Sequence, residues 1–328
     1  MKTAVVTGGM GFIGSNLVKL LNQKNYYVIN IDKCTYASNF NNIDRKIKNY
    51  EFFRLDINKT YLLKNILNKY KPKIIFNLAA ETHVDKSIEN PTTFIKSNYL
   101  GVFSILELMR TKKIKTKLIQ ISTDEVFGSI KNGKKSKEED AYKPSSPYSS
   151  SKASADLLIK SYIKTYNSPV IITNSCNNYG PNQDPEKLIP TIILQTLKKR
   201  DIPLYGKGSN EREWIYVEDN CRGLIDVAER GRLGETYNIG SDEVFTNFEI
   251  AKKIMKIIGY GKIKFVKDRP GHDLRYSLNS DKIRKQIKWK PSIKIDEGLK
   301  ITISWYTNKL KSNFFKNKKI GKRQGLLK

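Results

Sequence analysis

The 328-residue chain has little cysteine, little histidine, a deficit of acid and no long apolar run, and each shortage excludes something. Its three cysteines, Cys34, Cys176 and Cys221, are odd in number and have no metal-ligand spacing. That argues against a disulfide framework and a zinc site, so no metal centre is expected. No apolar run approaches the roughly 20 residues needed to cross a bilayer, so a soluble chain with no membrane partner is expected. The N-terminus enters Thr3-Ala4-Val5-Val6-Thr7-Gly8 directly. Without a signal-peptide series of basic, apolar and small residues, a cytoplasmic location is expected. The 32 Asp+Glu stand against 60 Lys+Arg, a formal charge of +28 that would ordinarily mark a polyanion binder. Lysine is spread almost evenly, however, and accompanies frequent Asn and Ile, which is compositional drift rather than a binding face. Nucleic acid is therefore not the expected partner. The exception is Lys309 to Lys328, with eight Lys/Arg and no acid, and a solvated basic tail is expected over 311–328.

What the chain does have is periodicity. A β-branched run over 3–7 leads into Gly8-Gly9-Met10-Gly11-Phe12-Ile13-Gly14, then Leu17, Leu20 and Leu21 at helical spacing. Strand, glycine turn and helix start together make a pyrophosphate cradle, because glycines permit close backbone approach and the helix dipole favours negative charge. A second strand, Tyr26 to Ile31, ends at Asp32, whose carboxylate can accept both adenosine ribose hydroxyls and would repel a 2′-phosphate, favouring NAD over NADP. Strands over Tyr50–Ile57, Lys73–Ala79, Lys117–Ser122 and Val170–Asn174 alternate with helices near 59–70 and 92–112. The pattern implies βαβ units in a doubly wound parallel sheet of Rossmann type. Ligands of such sheets lie beyond the carboxyl ends of the strands, here Asp56-Ile57, Ala79-Ala80-Glu81-Thr82-His83 and Ser122-Thr123-Asp124-Glu125.

The densest chemistry lies over 122–152. Ser146 can cap a helix beginning at Pro147, which places Tyr148 and Lys152 one turn apart on one face. A tyrosine of ordinary pKa near 10 is a poor base, and a nearby ammonium favours its phenolate. Of 18 tyrosines only Tyr148 and Tyr260 have Lys four residues on, and Tyr260 stands between two glycines, where no helix would hold the pair. Asp124 and Glu125 can serve one site only if the strand ends there, since neighbours in a strand face opposite ways.

Past 176 the alternation becomes irregular. Glu186-Lys187-Leu188-Ile189-Pro190, Pro203-Leu204-Tyr205-Gly206, Arg212-Glu213-Trp214 and Asp268-Arg269-Pro270-Gly271-His272-Asp273 offer bidentate arginines for phosphate and aromatic faces for a base. The expected organisation is an NAD-binding domain over 1–175, rejoined by 215–242, a smaller α/β substrate domain over 176–310, and the tail.

The glycine turn with Tyr148 and Lys152 resembles the extended short-chain dehydrogenase/reductase family of nucleotide-sugar enzymes. Within it, Ala79 to Asp85, Ser122 to Val126, Asn177 to Pro181, Glu186 to Pro190 and Asp268 to Asp273 resemble the dTDP-glucose 4,6-dehydratases, over residues 3 to about 308. The resemblance implies that Tyr148, assisted by Thr123 and Lys152, deprotonates the sugar 4-hydroxyl while C4 is oxidised by NAD. Glu125 then takes the C5 proton, Asp124 protonates the departing 6-hydroxyl, and hydride returns to C6. It also implies that Gly8, Gly11, Phe12, Ile13, Gly14, Asp32, Lys33, Asp56, Ile57, Ala79, Ala80 and Ser97, with Tyr148 and Lys152, hold NAD. The nucleotide-diphosphate sugar would meet Thr82, Asn177, Lys187, Leu188, Pro203, Tyr205, Arg212, Asn247, Arg269 and His272, with Tyr205 stacking on the base. Phe127, Leu274, Asn279 and Ser97 depart from the family pattern without removing a catalytic group. A homodimer, built on the helices near 92–112 and 148–166, is implied as well. A nucleotide-sugar 4-epimerase is the nearest alternative, a non-catalytic NAD-binding regulator or nucleic-acid binder a more distant one. dTDP-glucose and UDP-glucose, whose bases differ by one methyl, both stand as substrates.

Overall fold

The computed structural model describes residues 1–44, 46–312 and 314–315; most of the expected basic tail lies outside the described residues. The strands are β1 (Lys2–Thr7), β2 (Tyr26–Asp32), β3 (Tyr50–Arg54), β4 (Ile74–Asn77), β5 (Lys117–Thr123), β6 (Val170–Ser175), β7 (Asn177–Tyr179), β8 (Asp201–Tyr205), β9 (Glu211–Tyr216), β10 (Thr236–Ile239), β11 (Val244–Thr246) and β12 (Lys262–Val266). The helices are α1 (Phe12–Gln23), α2 (Thr60–Tyr70), α3 (Val84–Glu89), α4 (Pro91–Phe94), α5 (Gly101–Thr111), α6 (Pro147–Tyr166), α7 (Leu188–Leu197), α8 (Val217–Arg230), α9 (Asn247–Ile258), α10 (Asp281–Ile287) and α11 (Ile295–Lys311).

Seven strands form one sheet in the order β3-β2-β1-β4-β5-β6-β10, and every pairing in it is parallel. The order reverses between β1 and β4, where Thr7 lies beside Ile31 on one side and Asn77 on the other. That reversal opens the ligand crevice of a doubly wound sheet. Alternate residues of β1 feed opposite layers, as the pleat requires. Ala4 and Val6 pack with Leu17 and Leu21 of α1 and Leu224 and Ile225 of α8. Val5 packs with Leu63 and Leu67 of α2, Ile105 and Leu106 of α5, and Ile159 of α6. α8 and β10 bring the chain back to the main sheet after an excursion through β7 to β9. Outside that sheet stand a β11-β9-β7 sheet and a β12-β8 pair, over a core of α7, α9 and α11 that includes Ile192, Trp214, Ile250, Leu299 and Tyr306.

Two elements differ from expectation for local reasons. The third strand stops at Arg54 rather than Ile57 because Asp56 Oδ1 accepts the Asn58 backbone N–H at 2.9 Å, a turn that ends pairing. The helix expected near 92–112 is continuous from Pro91 to Thr111 but carries a π-helical segment, Ile95–Leu100, between α4 and α5. Such segments gather at functional sites, and this one delivers Ser97 to the crevice.

Candidate active site

The glycine turn is built for close approach. A Cβ on Gly8, which has φ +73, would lie 2.8 Å from the Leu78 backbone, and one on Gly14 2.2 Å from the Gly8 carbonyl oxygen. At Gly11 a Cβ would meet only the Gly8 carbonyl oxygen, at a tight 3.3 Å, with no other atom within 4 Å. α1 begins with no side-chain cap, and its first N–H groups are the donors a helix start offers an anion. Asp32 accepts from Met10 N–H at 3.0 Å, Cys34 N–H at 2.7 Å and Ser38 Oγ at 2.8 Å. Lys33 Nζ donates to Ser97 Oγ at 2.6 Å and lies 3.5 Å from Glu81. One cavity gathers Gly8, Gly11, Phe12, Ile13, Gly14, Asp32, Lys33, Asp56, Ile57, Ala79, Ala80, Thr82 and Ser97 with Thr123, Asp124, Glu125, Tyr148, Lys152, Asn177 and Lys187. The glycine turn, the helix start and the carboxylate at the end of β2 fit a dinucleotide.

β5 ends at Thr123, whose hydroxyl caps a single 3₁₀ turn over Asp124–Phe127 and receives the Glu125 N–H at 3.3 Å. The change from strand to turn lets adjacent carboxylates line the same cavity. Their surroundings differ. Burial, then Glu125 and Glu213, hold Asp124 well above the usual carboxylate range, opposed by Arg212 and a hydrogen bond from Thr123. Burial also raises Glu125, but Arg269, Arg212 and Lys187 all pull it down. Both carboxylates are thus raised, but Asp124 has Glu125 and Glu213 against the single cation Arg212, whereas Glu125 has three cations against Asp273, so Asp124 is the better placed of the two to keep a proton.

Ser146 caps α6 in a reciprocal box with Ser149, and Pro147 opens the first turn, which fixes Tyr148 and Lys152 on the cavity side. Ser87 Oγ accepts the Tyr148 N–H at 3.1 Å, and Phe94 meets the ring edge-on at 6.3 Å. Lys152 lies on the same face as Tyr148, one turn on. Burial and Glu125 raise Tyr148, and its hydrogen bond with Thr123 is what favours the phenolate. The Lys152 ammonium is turned to the Ile121 carbonyl, 2.5 Å away, and the charge supporting it is Asp156. His83 is a buried neutral ring, its pKa driven down to about 2 by burial and by Lys187, Lys86 and Arg269.

Leu188, Pro203, Tyr205, Arg212, Asn247, Arg269 and His272 stand outside that cavity lining and form a second group. Arg212 Nη2 donates to the Asp273 carbonyl at 3.0 Å and its guanidinium lies over Tyr276, 4.3 Å from the ring centre. His272 meets Tyr205 edge-on at 6.2 Å and bonds Asp268 at 2.7 Å. Asn247 follows the β11 edge, its N–H on the Asn210 carbonyl at 3.0 Å, and Leu188 opens α7 beside Lys187, whose Nζ donates to the Thr82 carbonyl at 3.0 Å. Arg212 and Arg269 link the groups through their action on Glu125. The sequence reading missed Asp85 and Asp156, although Asp156 sits at the same four-residue spacing from Lys152 as Lys152 does from Tyr148.

A doubly wound sheet with a glycine turn at its switch point and a tyrosine and a lysine one turn apart beside it is the architecture of an extended short-chain dehydrogenase/reductase. The chain belongs to the GDP-mannose 4,6 dehydratase family, whose model matches residues 5–302. It is 41% identical to a dTDP-glucose 4,6-dehydratase of Haemophilus influenzae, over 93% of this chain and 98% of that one. Among solved structures it is similar to the dTDP-glucose 4,6-dehydratase of Bacillus anthracis in complex with NAD, with TM-score 0.89, 40% identity and coverage of 95% and 98%. A UDP-glucose 4-epimerase of Thermotoga maritima shares the fold at TM-score 0.88 but only 27% identity, over 94% and 99% of the two chains.

Proposed function

We propose that the chain is an NAD-dependent nucleotide-sugar 4,6-dehydratase that converts dTDP-glucose to the 4-keto-6-deoxy sugar nucleotide. The observation that carries this reading is the pair of adjacent carboxylates in one cavity with unlike surroundings, Asp124 among carboxylates and Glu125 among cations. An epimerase has no use for such a pair, whereas elimination of water needs an acid and a base at once. The glycine turn, Asp32 and the Lys33–Ser97 pair hold NAD, which when bound supplies the hydride acceptor for C4 and the donor for C6. Tyr148 takes the proton of the sugar 4-hydroxyl, and Thr123 hydrogen-bonds at the same point. Glu125 removes the C5 proton once C4 is a ketone, and the electron pair of that bond forms the C5–C6 double bond as the 6-hydroxyl leaves. Asp124 supplies the proton that makes the leaving group water. The greater identity to dehydratases than to the epimerase supports the same conclusion.

On this reading residues 1–175 with 215–242 bind NAD and 176–310 bind the nucleotide diphosphate. Ile95, Leu100 and Phe103, with Leu157 of α6, are exposed apolar residues on the two helical segments of the proposed homodimer interface. Three free cysteines accord with a cytoplasmic enzyme, and among the described residues no helix is long and apolar enough to cross a membrane. The test is to incubate purified protein with dTDP-glucose and, in parallel, UDP-glucose, and to follow the product by NMR. A 6-methyl, 4-keto product from dTDP-glucose is expected. A galactosyl product without a 6-deoxy sugar would overturn the proposal, and faster turnover of UDP-glucose would reassign the nucleotide.

A further inference from the structure

Asp85 stands in the first turn of α3 with its side chain 2% exposed. Its two oxygens are divided between two partners distant in sequence. Oδ2 accepts from Tyr205 Oη at 2.8 Å, and Oδ1 from Arg269 Nη1 at 3.3 Å. Tyr205 ends β8, opposite Val266 at the end of β12, and Arg269 follows three residues later. Asp85 itself belongs to the segment that begins with the cavity-lining Ala79, Ala80 and Thr82. A single buried carboxylate on the dinucleotide side thus reaches across the crevice and holds a ring and a guanidinium that are each only half-buried.

The way the contacts are shared bears on ligand binding. A guanidinium presents five N–H donors in a planar fork, and oxyanions engage it best through two parallel bonds along one edge. Asp85 occupies Nη1. Among the described residues Arg269 Nε is buried with no acceptor, so the fork is held by one arm while its Nε side still has a donor to give. The bond through Oη likewise fixes the direction of the Tyr205 ring from its tip. We propose that Asp85 is a positioning residue for nucleotide recognition, its carboxylate holding the Tyr205 ring for the base and the Arg269 fork for the diphosphate. The inference rests on the dehydratase reading above, which assigns base and diphosphate to those two side chains.

The experiment compares Asp85→Asn, Tyr205→Phe and the double variant with the wild type. It measures KM and kcat for dTDP-glucose, bound NAD and Tm. Asp85→Asn keeps the shape but loses the charge that orients Arg269, and a rise in KM of about tenfold is expected with kcat changed less than about twofold. Tyr205→Phe keeps the ring and loses the hydroxyl that Asp85 receives; KM rises about threefold, and the double variant is no worse than Asp85→Asn alone, because the Asp85–Tyr205 contact is shared by the two changes. An unchanged or lowered KM in Asp85→Asn, or single effects that multiply in the double variant, overturns the inference. So does joint loss of NAD, Tm and kcat, which would make Asp85 a strut. If Asp85→Asn does not fold, Tyr205→Phe decides alone: a wild-type KM there overturns the inference. A wild-type protein that does not turn over dTDP-glucose instead sinks the dehydratase reading, and this inference with it.

Discussion

Asp156→Asn should gain stability relative to the wild type as pH rises and be less active, with both effects depending on pH. Asp156 is wholly buried one turn beyond Lys152. Ser122 Oγ donates to its Oδ2, Tyr142 Oη lies 3.5 Å from the same oxygen, and among the described residues Oδ1 has no partner. Burial raises its pKa from an ordinary 3.8 to about 6, in spite of Lys152, Ser122 and Lys160, which pull it down. Between those two values the folded protein keeps a proton that the unfolded chain has lost. The stabilising contribution is complete below about pH 4 and disappears as pH rises through 6. A displacement of about two pH units at about 1.4 kcal/mol each amounts to about 3 kcal/mol. The asparagine has no such dependence, so its stability relative to wild type should grow by about that amount between pH 4 and 7. For a chain of this length that is about 4 °C in Tm, readable by thermal unfolding of the two proteins in matched buffers. Lys152 would lose the carboxylate that supports its charge, and turnover should fall about tenfold at neutral pH, more steeply as pH rises. A Tm difference that stays flat from pH 4 to 7, with pH–rate profiles that superimpose, would show that Asp156 is neither raised nor coupled to Lys152.

Three further outcomes follow from the same geometry. Asp124→Asn should slow water loss by about 100-fold or more yet leave exchange of the C5 hydrogen with solvent, whereas Glu125→Gln should suppress both; deuterium uptake by NMR separates them. Gly14→Ala, whose Cβ would meet the Gly8 carbonyl oxygen at 2.2 Å, should unseat α1 and lower Tm, while Gly11→Ala, whose one tight contact is with the same oxygen at 3.3 Å, should lower Tm much less and lose bound NAD, read by absorbance of the denatured protein. Burial and the neighbouring Arg269 lower His272 to about 4, so between pH 6.5 and 4 the unfolded chain takes a proton that the folded ring refuses. His272→Gln should therefore remove about 1.4 kcal/mol of stability loss per pH unit in that window, measured by denaturant unfolding.

Much of the fold can be read directly from periodicity. The first six parallel strands, the glycine turn and the helix behind Pro147 follow from apolar spacing and capping, because each depends on residues within one turn or one pleat of each other. The π-helical segment at Ile95–Leu100 and the short helix α3 do not, since their causes lie elsewhere in the fold. Gly101 packs where a Cβ would come within 2.6 Å of Ile57, and α3 is held by Ser87, whose hydroxyl takes the N–H of Tyr148 from another helix.

The site divides in the same way. Tyr148, Lys152 and the Asp124–Glu125 pair are visible as types at a spacing, but what each will do with a proton is set by residues far along the chain. Spacing alone puts an ammonium beside a phenol. In the fold that ammonium turns to the Ile121 carbonyl and Asp156, and the hydrogen bond favouring the phenolate comes from Thr123. The two carboxylates are chemically near-equivalent in the sequence. They become unlike because Glu213 backs one, Arg269 and Lys187 stand beside the other, and Arg212 acts on both. All four of those residues come from the part of the chain where the strand and helix alternation breaks down. The irregular second half is thus what makes two like groups unlike, and a substitution there, at Arg269 for example, should change the elimination step without touching the sugar carbon that reacts.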